Sequence, residues 1–381
     1  MRTELSLIVN ETSISVNLLA LRGVKLRHAI KGARDRDEPW RVAQKPARSD
    51  NALAHSRVDG RDDVQPDRLK RLLEGCYVTV PTPFVDAPEF PVDEAALRSY
   101  VRFLINGGLT GDNAVFLAGG AAGDFSTMTF DERLRVAAIV VDEVGGRVPV
   151  AMGAQTTSTL ELVRLAKAAE KLGASFIQVS CPFYFTHTEG DFEEFVRAAA
   201  AAAPGIGLIV YNTFWTTTNV SFQMVERLAQ IPNVVGLKWA TPRTDAMEFE
   251  DVVSHFSDRF TIIDNNLFFA FSAMPALGAK AFEVHNCNFW PEWGVKLINE
   301  VRRENYKEIS RMLIQEAMPF YKLWVEIERT YTSGDGYLDK LCMELVGLPS
   351  SRCRPPTRDI RANYRDATRA MLKSIGAPRL T

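Results

Sequence analysis

The chain has 381 residues, 46% of them hydrophobic and 24% charged, with a net charge of −2. That length fits one large α/β barrel with an appendage, or two to three smaller domains, and the balanced charge gives no basis for nucleic-acid or membrane-surface binding. Five scattered cysteines (Cys76, Cys181, Cys287, Cys342 and Cys353) form no C-x-x-C pair, so neither a disulfide framework nor a zinc site is suggested, and a reducing cytoplasm fits.

Residues 1–65 are read as an N-terminal extension. Glu4 and Glu11 interrupt its one apolar stretch, and Lys31 to Asp63 is crowded with charge and proline, so it is expected to be disordered or loosely attached. From Gln65 onward short apolar runs alternate with amphipathic ones. The expected strands are Tyr77–Pro81, Ala114–Leu117, Val148–Met152, Phe176–Ser180, Gly207–Tyr211, Val234–Lys238, Phe260–Ile263 and Ala281–His285. Helical patterns fall near 93–107, 130–144, 157–172, 190–203, 221–230, 243–256, 266–276 and 291–303. Ser158 or Thr157 is expected to cap the third of these, with Glu161 at capping-box distance and Gly173 as its stop. Eight strands alternating with eight helices predict a (β/α)8 TIM barrel over residues 66–303. A doubly wound sheet is the runner-up, but no G-x-G-x-x-G opens a helix. Residues 304–381 read as a C-terminal helical region, helical through 347 and again over 358–375.

Active sites of such barrels lie at the C-terminal ends of the strands. Lys238 closes the run Val234-Val235-Gly236-Leu237, and Tyr211 closes Gly207-Leu208-Ile209-Val210 one βα unit earlier. A lysine at the end of a core strand must be paired or lose its proton, and a deprotonated lysine is an amine nucleophile. The bland alternative is a lysine that snorkels to water. By alternation Lys238 and Gly236 share the inner face, while Val235 and Leu237 point to the helices. The same rule puts Ala281, Glu283 and His285 together, which places Glu283 and His285 beside Lys238; a Glu283–Lys280 pair or a helix cap is the alternative. Thr79 stands on the first strand end. The loop Gly119-Gly120-Ala121-Ala122-Gly123-Asp124 can turn backbone amides toward an anion. His187, His255 and His285 lack ligand spacing, so no metal and no cofactor are expected.

In this order the motifs resemble the dihydrodipicolinate synthase and N-acetylneuraminate lyase family. Val80-Pro81-Thr82-Pro83-Phe84 is similar to its T-P-F opening, and Gly120-Ala121-Ala122-Gly123-Asp124 to its G-T-T-G-E loop. Cys181-Pro182-Phe183-Tyr184 resembles T-P-Y-Y, Tyr211-Asn212 resembles Y-N, and Gly236-Leu237-Lys238 resembles G-(I/L)-K. Leu277-Gly278-Ala279 and Asn288 through Pro291-Glu292 resemble L-G-A…N-x-x-P-E. The resemblance implies a lyase whose lysine, here Lys238, forms a Schiff base with pyruvate or a 2-oxo-3-deoxy acid. Tyr211 would relay protons, and Gly120, Ala121 and Ala122 would hold the substrate carboxylate. Tyr184 would be lent across a tight dimer interface within a homotetramer built as a dimer of dimers.

The departures from that pattern are specific. Ala121 and Ala122 replace two threonines whose hydroxyls complete the family's proton relay, and alanine has no polar group to offer. Asp124 replaces a glutamate, and Thr216 stands where the synthase binds a second carboxylate through arginine. Glu283 takes a usually aliphatic position and Trp239 a usually acidic one. These changes speak against a true dihydrodipicolinate synthase. They favour an aldolase or dehydratase in which Glu283 or His285 replaces the lost relay. Phe214, Trp215, Trp239, Phe289 and Trp290 raise the alternative of a hydratase-aldolase with an aromatic or apolar aldehyde partner. A catalytically impaired barrel acting as a binding protein is the reading from another class.

Overall fold

A computed structural model describes residues 66–216, 218–240, 247–265 and 274–381. The expected N-terminal extension, the start of the 243–256 helix and most of the 266–276 helix lie outside these residues. Eight parallel strands close a barrel in sequence order: β1 Gly75–Val80, β2 Ala114–Ala118, β3 Val150–Gly153, β4 Phe176–Ser180, β5 Gly207–Thr213, β6 Val234–Ala240, β7 Thr261–Asp264 and β8 Ala281–Phe282. The helices in chain order begin with α1 Pro66–Leu72, α2 Glu94–Asn106, α3 Phe130–Val144, α4 Thr159–Leu172, α5 Glu189–Ala202 and α6 Phe222–Leu228. They continue as α7 Met247–Phe256, α8 Met274–Leu277 and α9 Pro291–Arg302. Beyond the barrel lie α10 Tyr306–Met312, α11 Met318–Thr330, α12 Tyr337–Leu345 and α13 Arg361–Ser374. The fold is the expected TIM barrel with C-terminal helices. Among the described residues no helix is long and apolar enough to cross a membrane.

Strand alternation sorts the side chains into two cores. Cys76, Val78 and Val80 of β1 face the helices, while Tyr77 joins Val115, Leu117, Ala151, Phe176, Ile209, Ile263 and Ala281 inside the barrel. The helices bury stripes at i, i+3 and i+4, as Leu97, Tyr100, Val101 and Leu104 do on α2. Ser158 caps α4 through the Glu161 amide, and Gly173 ends it in the left-handed region at φ 85°. The Glu161 carboxylate turns to Thr156 rather than back to the cap, so the expected box is only half formed.

Three differences from the sequence expectations matter for the site. Helix α1 was not foreseen; its Leu69, with Leu73 just beyond it, packs in the inner core, and a Cβ on Gly236 would meet Leu73 at 2.5 Å. Strand β6 carries a bulge. Leu208 pairs with Val234 but Ile209 pairs with Gly236, leaving Val235 as the extra residue. Val235 therefore joins the inner core instead of facing the helices, while Leu237 points outward as expected. Finally, the C-terminal region is not helical through 347. A break at 331–336 contains Gly334 at φ 131° and Gly336 at φ 75°, conformations that favour glycine.

Candidate active site

Lys238 stands in the rim layer of the barrel, 3% exposed, directly opposite Tyr211 in the β5–β6 register. Both strands run two residues past these positions, so neither residue is terminal. The strands continue because Trp239 buries its ring on the outer face, stacked on Phe249 of α7. Lys238 Nζ lies 4.1 Å from the centroid of the Tyr211 ring and 5.4 Å from that of Tyr77. Its counter-ion is Glu283, one residue past β8, and Thr79 Oγ1 donates to the other oxygen of the same carboxylate. Lys280, the alternative partner, instead lies 3.6 Å from Glu74.

The Tyr211 hydroxyl donates to Asn265 Oδ1 at 3.1 Å. Burial, and then the charge of Glu283, hold its pKa above the ordinary tyrosine value, so it stays a protonated phenol at neutral pH. Below it the Tyr77 hydroxyl donates to Gln178 Oε1 at 3.1 Å, and the same two causes raise its pKa. Sequence reasoning missed Tyr77, Gln178 and Asn265. Alternation from Thr79 would have found Tyr77.

The Gly120–Asp124 loop follows β2 and turns tightly. The amides of Gly123, Asp124 and Phe125 fold back onto the carbonyls of Gly120 and Ala121. Among the described residues the amides of Ala121 and Ala122 take no part in the backbone hydrogen bonds of this turn. Asp124 sits in the left-handed region at φ 60° and is buried against Lys340 of α12, with Nζ to Oδ2 at 2.7 Å. The shortened carboxylate thus anchors the loop to the C-terminal helices. Gly336 backs onto the same loop, since a Cβ there would lie 2.4 Å from the Ala122 carbonyl oxygen.

His285 does not join Lys238. The strand ends at Phe282 and His285 opens a 3-10 turn to Asn288, so period-two alternation no longer governs its ring. Its Nδ1 lies 2.8 Å from Asp339, its ring stacks on Phe320, and its amide donates to the Tyr321 hydroxyl. Asn288 also donates to Asp339, at 2.7 Å. Burial alone would lower the His285 pKa. The charge and hydrogen bond of Asp339, then the charges of Asp335 and Glu283, outweigh it and raise the value to about 10. Its Nε2 faces Asp335 Oδ1 at 3.9 Å. The donor atoms of His285, Asp335 and Asp339 lie within 4.8 Å of one another. Their contacts are those of an imidazolium between two carboxylates, and no metal is assigned to them.

Packing corrects the expectation for three of the mouth aromatics. Trp239 and Phe289 are buried in the outer core and Trp290 packs against it, so three of the five mouth aromatics shape no pocket. Phe214 and Trp215 are exposed and in edge contact with each other. Tyr184 is 82% exposed at φ 90° and reaches no site residue within its own chain. Thr216 donates to the carbonyls of Thr213 and Thr218, closing its loop.

The dihydrodipicolinate synthetase family model matches residues 72–375. A 4-hydroxy-tetrahydrodipicolinate synthase from Methanopyrus kandleri is 30% identical, over 80% of this chain and 97% of its own. One from Syntrophus aciditrophicus is 29% identical, over 80% of this chain and 99% of its own. Among solved structures, the lysine-bound enzyme of Cyanidioschyzon merolae superposes with a TM-score of 0.71 at 22% identity, covering 81% of this chain and all of that one. With the barrel, the rim lysine and the ordered motifs agreeing, the chain belongs to the dihydrodipicolinate synthetase family of Schiff-base-forming lyases.

Proposed function

We propose that the protein cleaves or dehydrates a 2-oxo acid through a Schiff base on Lys238, and that it is a divergent member rather than a dihydrodipicolinate synthase. The observation carrying this reading is the buried Lys238–Glu283–Thr79 arrangement beside Tyr211. Glu283 takes a proton from the ammonium, and the freed amine attacks the C2 carbonyl. Thr79 orients the carboxylate that receives this proton. The Tyr211 phenol protonates the carbinolamine hydroxyl, which leaves as water as the C=N bond forms. The amides of Ala121 and Ala122 hold the substrate carboxylate.

The resulting iminium accepts the electron pair released when a bond β to it breaks. The neutral Thr216 in place of a cation points to a second half of the substrate without a carboxylate. Tyr184, exposed on the loop after β4, would meet a second copy and complete a neighbouring site in a dimer of dimers. Five buried, unpaired cysteines fit a cytoplasmic enzyme. A silent binding barrel is the competing reading, because the ion pair leaves the amine engaged. Borohydride reduction in the presence of pyruvate separates the two. An enzyme gains one reduced pyruvyl adduct that Lys238→Ala abolishes; no adduct with pyruvate or a panel of 2-oxo acids would sink the Schiff-base reading.

A further inference from the structure

The break at 331–336 brings the Asp335 carboxylate to the barrel mouth, within electrostatic reach of Tyr211 and Glu283. Gly334 and Gly336 flank Asp335 in conformations closed to most side chains, and Gly336 rests on the Ala122 carbonyl. The turn is thus clamped against the loop that supplies the carboxylate-binding amides. Asp335 Oδ1 accepts from the Gly336 amide at 2.9 Å and faces His285 Nε2 at 3.9 Å. Its other oxygen has no hydrogen-bond partner among the described residues, and the side chain is 11% exposed. His285 is itself fixed by Asp339, which is fully buried and held again by Asn288, whose Oδ1 accepts from Tyr100.

We propose that Asp335 is a catalytic base of this site, exchanging a proton with C3 of the imine-bound substrate, and that His285 and Asp339 are its positioning residues. The idea rests on the Schiff-base reading. In the step, the Asp335 carboxylate takes a proton from C3. The C–H electron pair becomes the C2=C3 bond of an enamine, and the iminium π pair moves to the Lys238 nitrogen. In reverse, the neutral acid returns the proton to C3. This fills the gap left by Ala121 and Ala122, which bring no hydroxyl to the same loop.

The groups facing Asp335 support the assignment. His285 approaches from the turn after β8, Asp339 and Tyr337 from α12, Glu283 from the end of β8, Tyr211 from β5 and Cys353 from the segment before α13. Burial raises the Asp335 pKa; the His285 cation opposes this, Asp339 and Glu283 add to it, and the result is about 6. A carboxyl poised there both accepts and returns protons near neutrality.

Pyruvate alone serves as the probe. An imine–enamine cycle exchanges its methyl protons with D2O, and proton NMR follows the loss of signal. Asp335→Asn is expected to slow this exchange by about 100-fold or more while borohydride still traps the Lys238 adduct. The wild-type rate should rise with pH through about 6, and His285→Gln, which removes the opposing cation, should move that limb upward. Exchange within twofold of wild type in Asp335→Asn would overturn the proposal. An unmoved limb in His285→Gln would overturn the positioning role, and it decides the matter should Asp335→Asn not fold. If the wild-type protein neither traps nor exchanges, the Schiff-base reading has failed instead.

Discussion

Glu283 is paired with Lys238 across the barrel mouth, from the residue after β8 to the middle of β6, with β7 between them. The pair is buried, so its two members stabilise each other only together. Removing one leaves a desolvated charge.

Replacing Glu283 with Gln keeps the shape and the bond from Thr79 but removes the proton acceptor for the amine. Imine formation, followed by rapid quenching into borohydride, should slow by about 100-fold. Thr79→Val should slow it less, since it only loosens the carboxylate. An unchanged rate in Glu283→Gln would remove Glu283 from the mechanism.

The buried Asp124–Lys340 pair ties the anion loop to α12. Lys340→Met should destabilise the fold by about 3–5 kcal/mol in urea melts, because it strands Asp124. Burial already pushes the Asp124 pKa upward against the pull of Lys340. Adding Asp124→Asn should recover part of the loss. A double variant no more stable than Lys340→Met would argue against the pair as the cause.

Stability should fall with rising pH through both Asp335 and His285, in two separate windows. His285 titrates near 10 in the fold against 6.5 for the free side chain. Its contribution is therefore full below pH 6.5 and is lost as pH rises through about 10. His285→Gln should be less stable than wild type at pH 6, by on the order of 3 kcal/mol, with the gap closing by pH 10. Asp335 is raised from 3.8 to about 6, so its ionisation costs stability as pH rises across that window. Asp335→Asn should be more stable than wild type at pH 7 by about 2 kcal/mol. Chemical denaturation at pH 4, 6, 7 and 10 reads both.

Gly336→Ala would place a methyl 2.4 Å from the Ala122 carbonyl oxygen, at a φ of 75°. The clamp on the loop should open. KM for the 2-oxo acid is expected to rise about tenfold, with a smaller change in kcat, since the carboxylate-binding amides move while the amine does not. Equal losses in a Gly376→Ala control, where the added methyl meets nothing, would point to general destabilisation.

The barrel was legible because strand and helix periods differ: the strands starting at 114, 176, 207, 234, 261 and 281 begin within one residue of expectation, and those starting at 75 and 150 differ by two. Lys238, Tyr211, Thr79 and Glu283 were legible because alternation holds along a strand. His285 was not, because β8 is two residues long and the chain coils straight after it. Asp335 was hidden inside an apparent long helix. The Gly334-Asp335-Gly336 triplet was the available signal, and it is a turn signature. Trp239 and Phe289 misled because an aromatic near a strand end packs equally well against a helix layer, and only contacts decide between the two.

The bulge at Val235 insulates the rim of β6 from its floor. Val235 and Lys238 are an odd number of positions apart, yet both face the barrel axis. An unbroken strand could not present both. The single extra residue resets the phase near the start of the strand. The apolar floor can thus be repacked under Leu73 without rotating the amine out of the chemistry, and the register opposite Tyr211 alone decides where that amine points.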